Sequence, residues 1–244
     1  MIDEYLKKIM DLLEFVKVEE KESILKAATK VSTSIMRDGI IHIFGVGHSH
    51  IFGEEIFYRA GGLVPINPIL VEELMLHKGA SRSSRLEKEN DFAKTFMSKE
   101  DIRPNDLVIV ISTSGRNPVP IDVARWSQAK GAFVICITSL TYAKSQPSRH
   151  KEQYYLYQSA DLVIDNHISI GDTLMKYPDF DETFGSGSTV VGTVIMNGIM
   201  VEAINIMLKN GYHPPIFKSG NVDGTEAHNR SLVEKYKARI KRLN

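Results

Sequence analysis

The sequence predicts an α/β protein in which helices cover both faces of a mainly parallel sheet. Short apolar, β-branched runs alternate with helical segments of roughly ten to fifteen residues, which is typical of strand-helix-strand units. The first of these runs stops at glycine, as buried strands of such sheets do. No repeat, low-complexity tract or linker divides the 244 residues, so we expect a single domain over residues 1–244.

The N-terminal part begins with a predicted helix over residues 3–37, where apolar residues recur every three or four positions. The period then changes at Ile40 to Phe44, a short run that ends at Gly45 and predicts a buried strand. A helix over about 49–60 follows, closed by Gly61 and Gly62, which can supply a left-handed cap.

The same alternation continues through a core at 38–210 and a C-terminal segment at 211–244. Further strands are predicted at 63–67, 107–112, 133–138 and 162–165, and further helices at 86–99, 119–130, 188–210 and 225–242. Two longer polar stretches, 78–85 and 140–153, are predicted to be binding loops or lids.

The composition excludes several classes of protein. There are 30 Lys and Arg against 30 Asp and Glu, so the formal net charge is zero, and 43% of residues are hydrophobic, as in a soluble globular protein. Zero net charge removes the nonspecific attraction on which nucleic-acid binding usually depends. A single cysteine, Cys136, excludes an intrachain disulfide and a Cys-based zinc site. We expect a cytoplasmic protein that does not bind nucleic acid.

One apolar stretch, 189–208, has the length of a membrane span. Asn197, Glu202 and Asn205 interrupt it, and a charge near the bilayer centre is costly. The N-terminal residues lack the basic flank and uninterrupted apolar run of a signal peptide. We therefore expect a buried or subunit-interface helix and no membrane partner.

Two junctions between a strand and a helix have the composition of an anion site, 45–50 (GVGHSH) and 112–118 (STSGRNP). In an open parallel sheet, ligands bind beyond the carboxyl ends of the strands. Small residues let the backbone approach a ligand, while free amides and hydroxyls donate hydrogen bonds. Each loop therefore predicts a phosphate site, with a plain glycine turn as the alternative.

Neither loop carries a nucleotide motif. His50 stands where the dinucleotide fingerprint needs its third glycine, and the predicted second strand ends at Asn67 rather than at an acid. No glycine loop is followed by the Lys-Ser/Thr pair of a P-loop.

A third Gly/Ser loop at 185–189 is explained by capping of the next helix. Arg82 and Arg85 are placed to meet a ligand phosphate or acid.

These segments resemble the sugar isomerase (SIS) domain family, and most closely its phosphoheptose isomerase-like phosphosugar-binding proteins. The resemblance rests on IIHIFGVGHSHIFGEEIFYRAGG, LVIVISTSGRNPVPIDVARWSQAKG, FVICITSL and ADLVIDN, in that order, and covers about residues 36–210. It implies a three-layer α/β/α sandwich of flavodoxin-like topology. It also implies a phosphorylated sugar as ligand and a homodimer or homotetramer with sites near subunit interfaces.

The resemblance also assigns the phosphate to the second loop, with Ser49 of the first loop assisting. The residues expected to contact the phosphosugar are Gly47, Ser49, Ser112, Thr113, Ser114, Gly115 and Asn117. Many family members carry Ser or Thr two residues after the loop glycine, where this chain has Asn117 followed by Pro118. We expect a phosphate cradle of different shape.

Aldose-ketose isomerisation needs a base near the sugar carbonyl, because a proton moves between adjacent carbons through an enediolate. The helix after the first loop offers His50, Glu54 and Glu55, with His50 and Glu54 four residues apart on one face. Phosphoheptose isomerases have a His and a Glu at that spacing, joined by a His near the C-terminus. By resemblance the distal residue is His228, or secondarily His213, and Glu54 and Glu55 remain equal candidates for the base.

Other interpretations stay open. Glu54 and Glu55 could be first-turn acids that complement the helix dipole, and His48 and His50 could be capping or core residues. No cofactor is expected, with a zinc site of His48, His50 and Glu54 as a minor alternative. The expected function is a sugar-phosphate isomerase. The alternatives are a noncatalytic phosphosugar sensor or regulatory module and an amino-sugar-phosphate etherase or lyase.

Overall fold

The computed structural model describes residues 1–244 and confirms the predicted α/β class. The strands of its five-stranded parallel sheet are β1 (Ile41–Gly45), β2 (Ile66–Pro68), β3 (Leu107–Ile111), β4 (Phe133–Thr138) and β5 (Leu162–Asp165). They lie in the order β2-β1-β3-β4-β5, which is a flavodoxin-like order. An antiparallel hairpin of β6 (Met175–Tyr177) and β7 (Phe180–Phe184) stands apart from this sheet.

Nine α-helices accompany the strands. They are α1 (Ile2–Glu19), α2 (Lys21–Met36), α3 (Ile51–Ile56), α4 (Ala80–Leu86), α5 (Lys94–Met97), α6 (Pro118–Ala129), α7 (Leu140–Lys144), α8 (Ser188–Lys209) and α9 (Glu226–Tyr236). Helices α1, α2, α3 and α8 supply one apolar cluster, and α5, α6 and the end of α4 supply a second. The sheet lies between the two clusters, which gives the predicted three layers.

The two clusters explain why the strands are continuous apolar runs. Successive side chains of a strand point to opposite faces of the sheet. In β3, Ile109 therefore packs in the first cluster, while Val108 and Val110 pack in the second. Every residue of β1 and β3 is buried. A strand with two covered faces has no position for an exposed polar residue, so the pattern does not alternate.

Several element boundaries differ from the sequence prediction. The predicted helix 3–37 is two helices that meet at Glu20, whose carboxylate accepts a hydrogen bond from His167 Nε2 at 3.1 Å. The predicted helix 49–60 ends at Ile56. Gly61 and Gly62 do not cap it, because their backbones pair with Phe217 of the C-terminal segment. Both differences come from contacts with residues far away in the sequence.

Two other segments were assigned the wrong local structure. Residues 78–85, predicted as a loop, mostly form α4, where the hydroxyl of buried Ser83 donates to the Leu74 carbonyl at 2.7 Å. The predicted helix 86–99 is mainly turns, with only α5 helical. The β6-β7 hairpin was not predicted, although Pro178 and Asp179 between its strands are a turn signal and Asp179 has a positive φ of 59°.

Helix α8 is long and apolar enough to cross a membrane by length and composition, and 44% of its most apolar stretch is buried. Its inner side places Val191, Ile195 and Ile199 in the first cluster. Its outer side leaves Val194 and Val201 exposed. Packing in the core therefore explains the apolar residues on the inner side of α8 and not those on its outer side.

A buried polar network anchors the C-terminal segment to the sheet. The Asp106 carboxylate, just before β3, accepts from the Ile40 amide at 2.8 Å, from His42 Nε2 at 3.3 Å and from Arg239 Nη2 at 2.7 Å. Burial pushes the pKa of Asp106 upward. The hydrogen bonds from His42, Arg239 and the Ile40 amide outweigh burial and hold that pKa well below its usual range.

We predict that Asp106→Asn lowers the free energy of unfolding by about 3 kcal/mol at pH 7, because it removes the buried carboxylate partner of Arg239 and leaves only the exposed Asp101 to pair with it. The folded-state pKa of Asp106 lies below the unfolded value of about 3.9, so the carboxylate stabilises the fold above that pH. The difference between wild type and variant should shrink as the pH falls below about 4. Urea unfolding between pH 7 and pH 3 measures it.

The matched control is Asp11→Asn, which removes an exposed pair with Lys7 at 2.7 Å. Exposed pairs contribute less than about 1 kcal/mol. An Asp106→Asn effect no larger than that of the control would contradict the structural role of the network.

Candidate functional site

The candidate site is a crevice at the carboxyl edge of the sheet, between the loops that follow β1 and β3. These strands are neighbours, with Gly45 opposite Ile111 at their ends. The first loop leads into α3 and the first apolar cluster, whereas the second leads into α6 and the second cluster. The loops therefore turn to opposite faces and leave an opening, which is where open α/β sheets bind ligands.

The first loop is a 3₁₀ turn over Gly47–His50. Gly45 is required before it, because a Cβ there would lie 2.3 Å from the Ser49 carbonyl oxygen. Gly47 has a positive φ of 59°, and its carbonyl accepts a hydrogen bond from His50 Nδ1. The amides of Gly47 and His48 and the hydroxyl of Ser49 have no acceptor in the protein. These donors are free for a ligand.

The second loop is folded by its glycine. Gly115 has a φ of 56°, and a Cβ there would lie 2.6 Å from Thr138 Oγ1. Its amide donates to the Ser112 hydroxyl at 3.3 Å. The hydroxyls and amides of Thr113 and Ser114 have no protein partner. The loop thus presents four donors beside the start of α6, an arrangement that suits a phosphate.

The segment after α7 holds the second loop in place. The Leu156 amide donates to the Gly115 carbonyl at 2.9 Å, and the Arg149 amide donates to the Arg116 carbonyl at 2.9 Å. Arg116 Nε donates in return to the Pro147 carbonyl at 2.9 Å. Most of this segment lies in the polar stretch 140–153, and its hydrogen bonds fix the backbone of the second loop.

Asn117, the departure from the family pattern, is buried at the start of α6. It makes no capping bond through its side chain, and its Oδ1 instead accepts from Arg149 Nη1 at 3.0 Å. Arg149 has no carboxylate within ion-pair distance. This contact places a guanidinium without a carboxylate partner next to the second loop.

The predicted catalytic residues of α3 lie in different surroundings. Glu54 is half exposed, and its carboxylate is 3.8 Å from His50 Nε2, so the structure brings this predicted pair together. Glu55 pairs with Arg59 and accepts from Asn197 of α8 at 3.3 Å. The Glu55 carboxylate is thus occupied by partners, whereas that of Glu54 is free toward solvent.

The side chain of the distal histidine makes its one hydrogen bond within the C-terminal segment. His228 lies on α9 and its Nε2 donates to the Ile216 carbonyl at 2.9 Å. No hydrogen bond or ion pair joins it to His50, Glu54 or Glu55. Nor do any three His, Cys, Asp or Glu side chains form a group that could hold a metal ion, those of His48, His50 and Glu54 included.

Sequence reasoning missed Glu87, which follows α4 and lies beside Asn117. Burial raises the pKa of Glu87, and a hydrogen bond with Asn117 and the charges of Lys88 and Arg149 offset only part of the rise. In the sequence this residue stands in a charged run, LEKEND, which is typical of a solvated helix face. Its surroundings depend on contacts with residues distant in the sequence, such as the Val119 amide that donates to the Glu87 carbonyl at 3.3 Å, and the run does not show these.

Known proteins resemble this chain in both sequence and fold. A family model described as the SIS domain matches residues 4–139. A UPF0309 protein of Geobacillus thermodenitrificans (strain NG80-2) is 55% identical over 240 residues, covering 98% of this chain and 96% of the relative. A UPF0309 protein of Thermoanaerobacter pseudethanolicus (strain ATCC 33223 / 39E) is 42% identical over 247 residues, covering 100% of both chains.

Two solved structures share the fold at low sequence identity. A phosphoheptose isomerase from Francisella tularensis has a TM-score of 0.56 and 12% identity, covering 83% of this chain and 95% of the other. A phosphoheptose isomerase from Neisseria gonorrhoeae has a TM-score of 0.52 and 16% identity, covering 84% of this chain and 96% of the other. At these identities the likeness is one of fold.

We predict that Gly115→Ala destabilises the protein more than Gly61→Ala. Both positions have a positive φ, which costs an alanine about 1–2 kcal/mol. At Gly61 nothing lies within 4 Å of the added Cβ, whereas at Gly115 the methyl meets Thr138. The clash should add about 1–3 kcal/mol, measured by urea unfolding. Equal losses in the two variants would contradict this account of the second loop.

Proposed function

Because the chain belongs to the SIS domain family, we propose that it is a cytoplasmic phosphosugar-binding protein that interconverts the aldose and ketose forms of a sugar phosphate. The observation that carries the proposal is the second loop, where Thr113 and Ser114 offer free hydroxyls and amides at the start of α6. The likeness in fold to the two phosphoheptose isomerases supports a ligand of the same class.

The phosphate in this proposal is bound by dipoles rather than by a cluster of cations. The amides of Thr113 and Ser114 and the positive end of the α6 dipole would share its charge. Arg149 lies behind Asn117 and adds a guanidinium nearby. The sugar would then extend from the second loop toward the first, where the amides of Gly47 and His48 are free.

The reaction would use Glu54 as the base that moves the carbon-bound proton. The carbonyl of Gly47 holds His50 Nδ1, which leaves Nε2 directed to the Glu54 carboxylate. Glu55 is assigned a structural role in this proposal, because Arg59 and Asn197 already engage it. The assignment chooses between two carboxylates that sequence spacing leaves equal.

His228 would enter the site only from a second copy of the chain, in the proposed homodimer or homotetramer. The exposed apolar side chains of α8 support such an assembly, namely Val190, Val194, Val201 and Leu208. Within one chain, no hydrogen bond or ion pair joins His228 to the α3 carboxylates, and this observation favours the second candidate function, a noncatalytic phosphosugar sensor.

The binding step is tested by a thermal-shift screen of sugar phosphates from pentose to heptose, with and without zinc. We expect at least one to stabilise the protein, by about 2.7 kcal/mol at a hundred times its Kd. Ser114→Ala removes a hydroxyl donor to the phosphate and should weaken binding roughly tenfold, since one hydrogen bond to a charged group contributes about 1.5–3 kcal/mol. Ser98→Ala, a matched exposed serine, should bind like wild type.

A screen in which no sugar phosphate stabilises the protein would refute the proposed ligand class. A Ser114→Ala variant that binds as tightly as wild type would move the phosphate away from the second loop.

The catalytic step is tested with the best ligand of the screen, by measuring conversion and exchange of the carbon-bound hydrogen with deuterated water. Glu54→Gln should lower kcat by roughly 10²–10⁴-fold, the usual contribution of a positioned base. Glu55→Gln should lower it less than about tenfold, because its carboxylate serves the contact with Arg59. A bound ligand that neither converts nor exchanges in wild type would identify the sensor instead.

A further inference from the structure

A cavity of about 470 Å³ lies at the amino edge of the sheet, at the end opposite the candidate site. Leu107, Phe133 and Asp161 line this amino-edge cavity at the points where β3, β4 and β5 begin. One wall is the end of α2, and the other is the end of α6 with the turn that follows it. Cavities of about 300–1,000 Å³ are of the size that holds small molecules in proteins.

Close packing of the segment before β3 fixes the shape of the cavity. The Ser34 hydroxyl of α2 donates to the Asn105 carbonyl at 2.7 Å. A Cβ on Gly39 would overlap the same carbonyl oxygen, and a Cβ on Gly131 would lie 3.3 Å from Pro104. The segment is therefore held between α2 and the turn after α6. A ligand that enters a cavity with fixed walls pays little for ordering the protein.

Two cations line the cavity without a carboxylate partner. Lys30 of α2 and Arg37 at its end are about two helical turns apart, and neither lies within ion-pair distance of an acid. The Lys30 ammonium instead lies over the Phe133 ring, 4.5 Å from its centroid. The side-chain amide of Asn105, which is also in the lining, has no hydrogen-bond partner in the protein. These three side chains offer free donors to a ligand.

The acids that line the cavity are already engaged. The buried carboxylate of Asp106 pairs with Arg239. The Asp161 carboxylate accepts from the Val134 amide at 2.7 Å and from Gln128 Nε2 at 3.1 Å. Asp161 can offset the charge of only one of the two free cations, so the lining keeps a net positive charge. An anionic ligand would be attracted to both cations without having to break an ion pair.

We propose that the amino-edge cavity is a second binding site, for a small organic molecule that carries two anionic groups. One group pairs with Lys30 and the other with Arg37, while the Asn105 amide donates to one of their oxygens. Carboxylates and phosphates share the chemistry that these donors recognise. The inference goes beyond the proposed function and does not rest on it, because none of the lining residues belongs to the loops at 45–50 and 112–118.

The test measures the binding of two probes to the full chain by isothermal titration calorimetry, citrate for carboxylates and pyrophosphate for phosphates. We expect at least one probe to bind wild type, with an affinity that falls as salt is raised. The probe that binds more tightly identifies the anionic group. Lys30→Gln and Arg37→Gln should each weaken binding about three- to fivefold, and together roughly tenfold or more. Both side chains are exposed, so urea unfolding of the variants should match wild type.

Two further variants are matched controls. Lys144→Gln removes an exposed lysine that also lies over an aromatic ring, that of Tyr157, and also lacks a carboxylate partner, but at the carboxyl edge of the sheet. Ser114→Ala alters the second loop of the candidate site, which could itself bind pyrophosphate. Both variants should bind the probes as wild type does.

Four outcomes would overturn the inference. These are the failure of both probes to bind wild type, binding that survives the double variant, an equal loss in Lys144→Gln, and loss of binding in Ser114→Ala. The third would show that only the overall charge matters, and the fourth would place the probe in the candidate site. The proposed function fails on a different observation, namely that no sugar phosphate stabilises wild type, so the two failures are distinguishable.

Discussion

The reversal of strand order at β1 is the constraint on which the candidate site depends. The chain passes from β1 to β2 on one side and then crosses back to β3 on the other. Right-handed crossovers then require α3 to cover one face of the sheet and α4 to α6 the other. The loops after β1 and β3 must therefore separate. An opening lies between the two loops because β1 and β3 are adjacent in the sheet while the helices that follow them cover opposite faces.

This topology buries polar groups at the centre of the sheet, where water cannot hydrogen-bond to them. His42 lies within β1 and is almost fully buried, as is Asp106 at the entry to β3. Their mutual hydrogen bond, with Asn67 and Arg239 on either side, satisfies every partner in the network. Arg239 follows α9, so the same network fixes where α9 packs. The position of His228 on α9 follows from that packing.

The sequence predicts those features whose physical cause is local. Strands β3 to β5 were predicted within one residue, because a strand buried on both faces must be a continuous apolar run. The two loops were predicted from glycine and hydroxyl residues at fixed offsets from a strand end, and the structure places both at strand-to-helix junctions with unpaired donors. The structure brings His50 and Glu54 together as their spacing predicts, since side chains four positions apart on a helix are neighbours.

Features set by distant contacts were missed for an equally physical reason. At the break between α1 and α2, Glu20 accepts a hydrogen bond from His167, and in α4 the Ser83 hydroxyl donates to the Leu74 carbonyl. Spacing along the chain carries no information about such pairs. The same holds for Glu87, whose partial burial no local pattern predicts.

Charge explains how a neutral chain can present a site for an anion. A phosphate monoester carries up to two charges in a small volume, and a few oriented amides, hydroxyls and one helix start can match them. Such donors act over a few ångströms and depend on each oxygen reaching its own partner, unlike the long-range field of a basic surface. These short-range donors can hydrogen-bond to one phosphate and would add no affinity for the further phosphates of a nucleic acid. In the proposed function, the crevice would select its ligand by the shape of one phosphorylated group, and the residues between the two loops would select the remainder of the ligand.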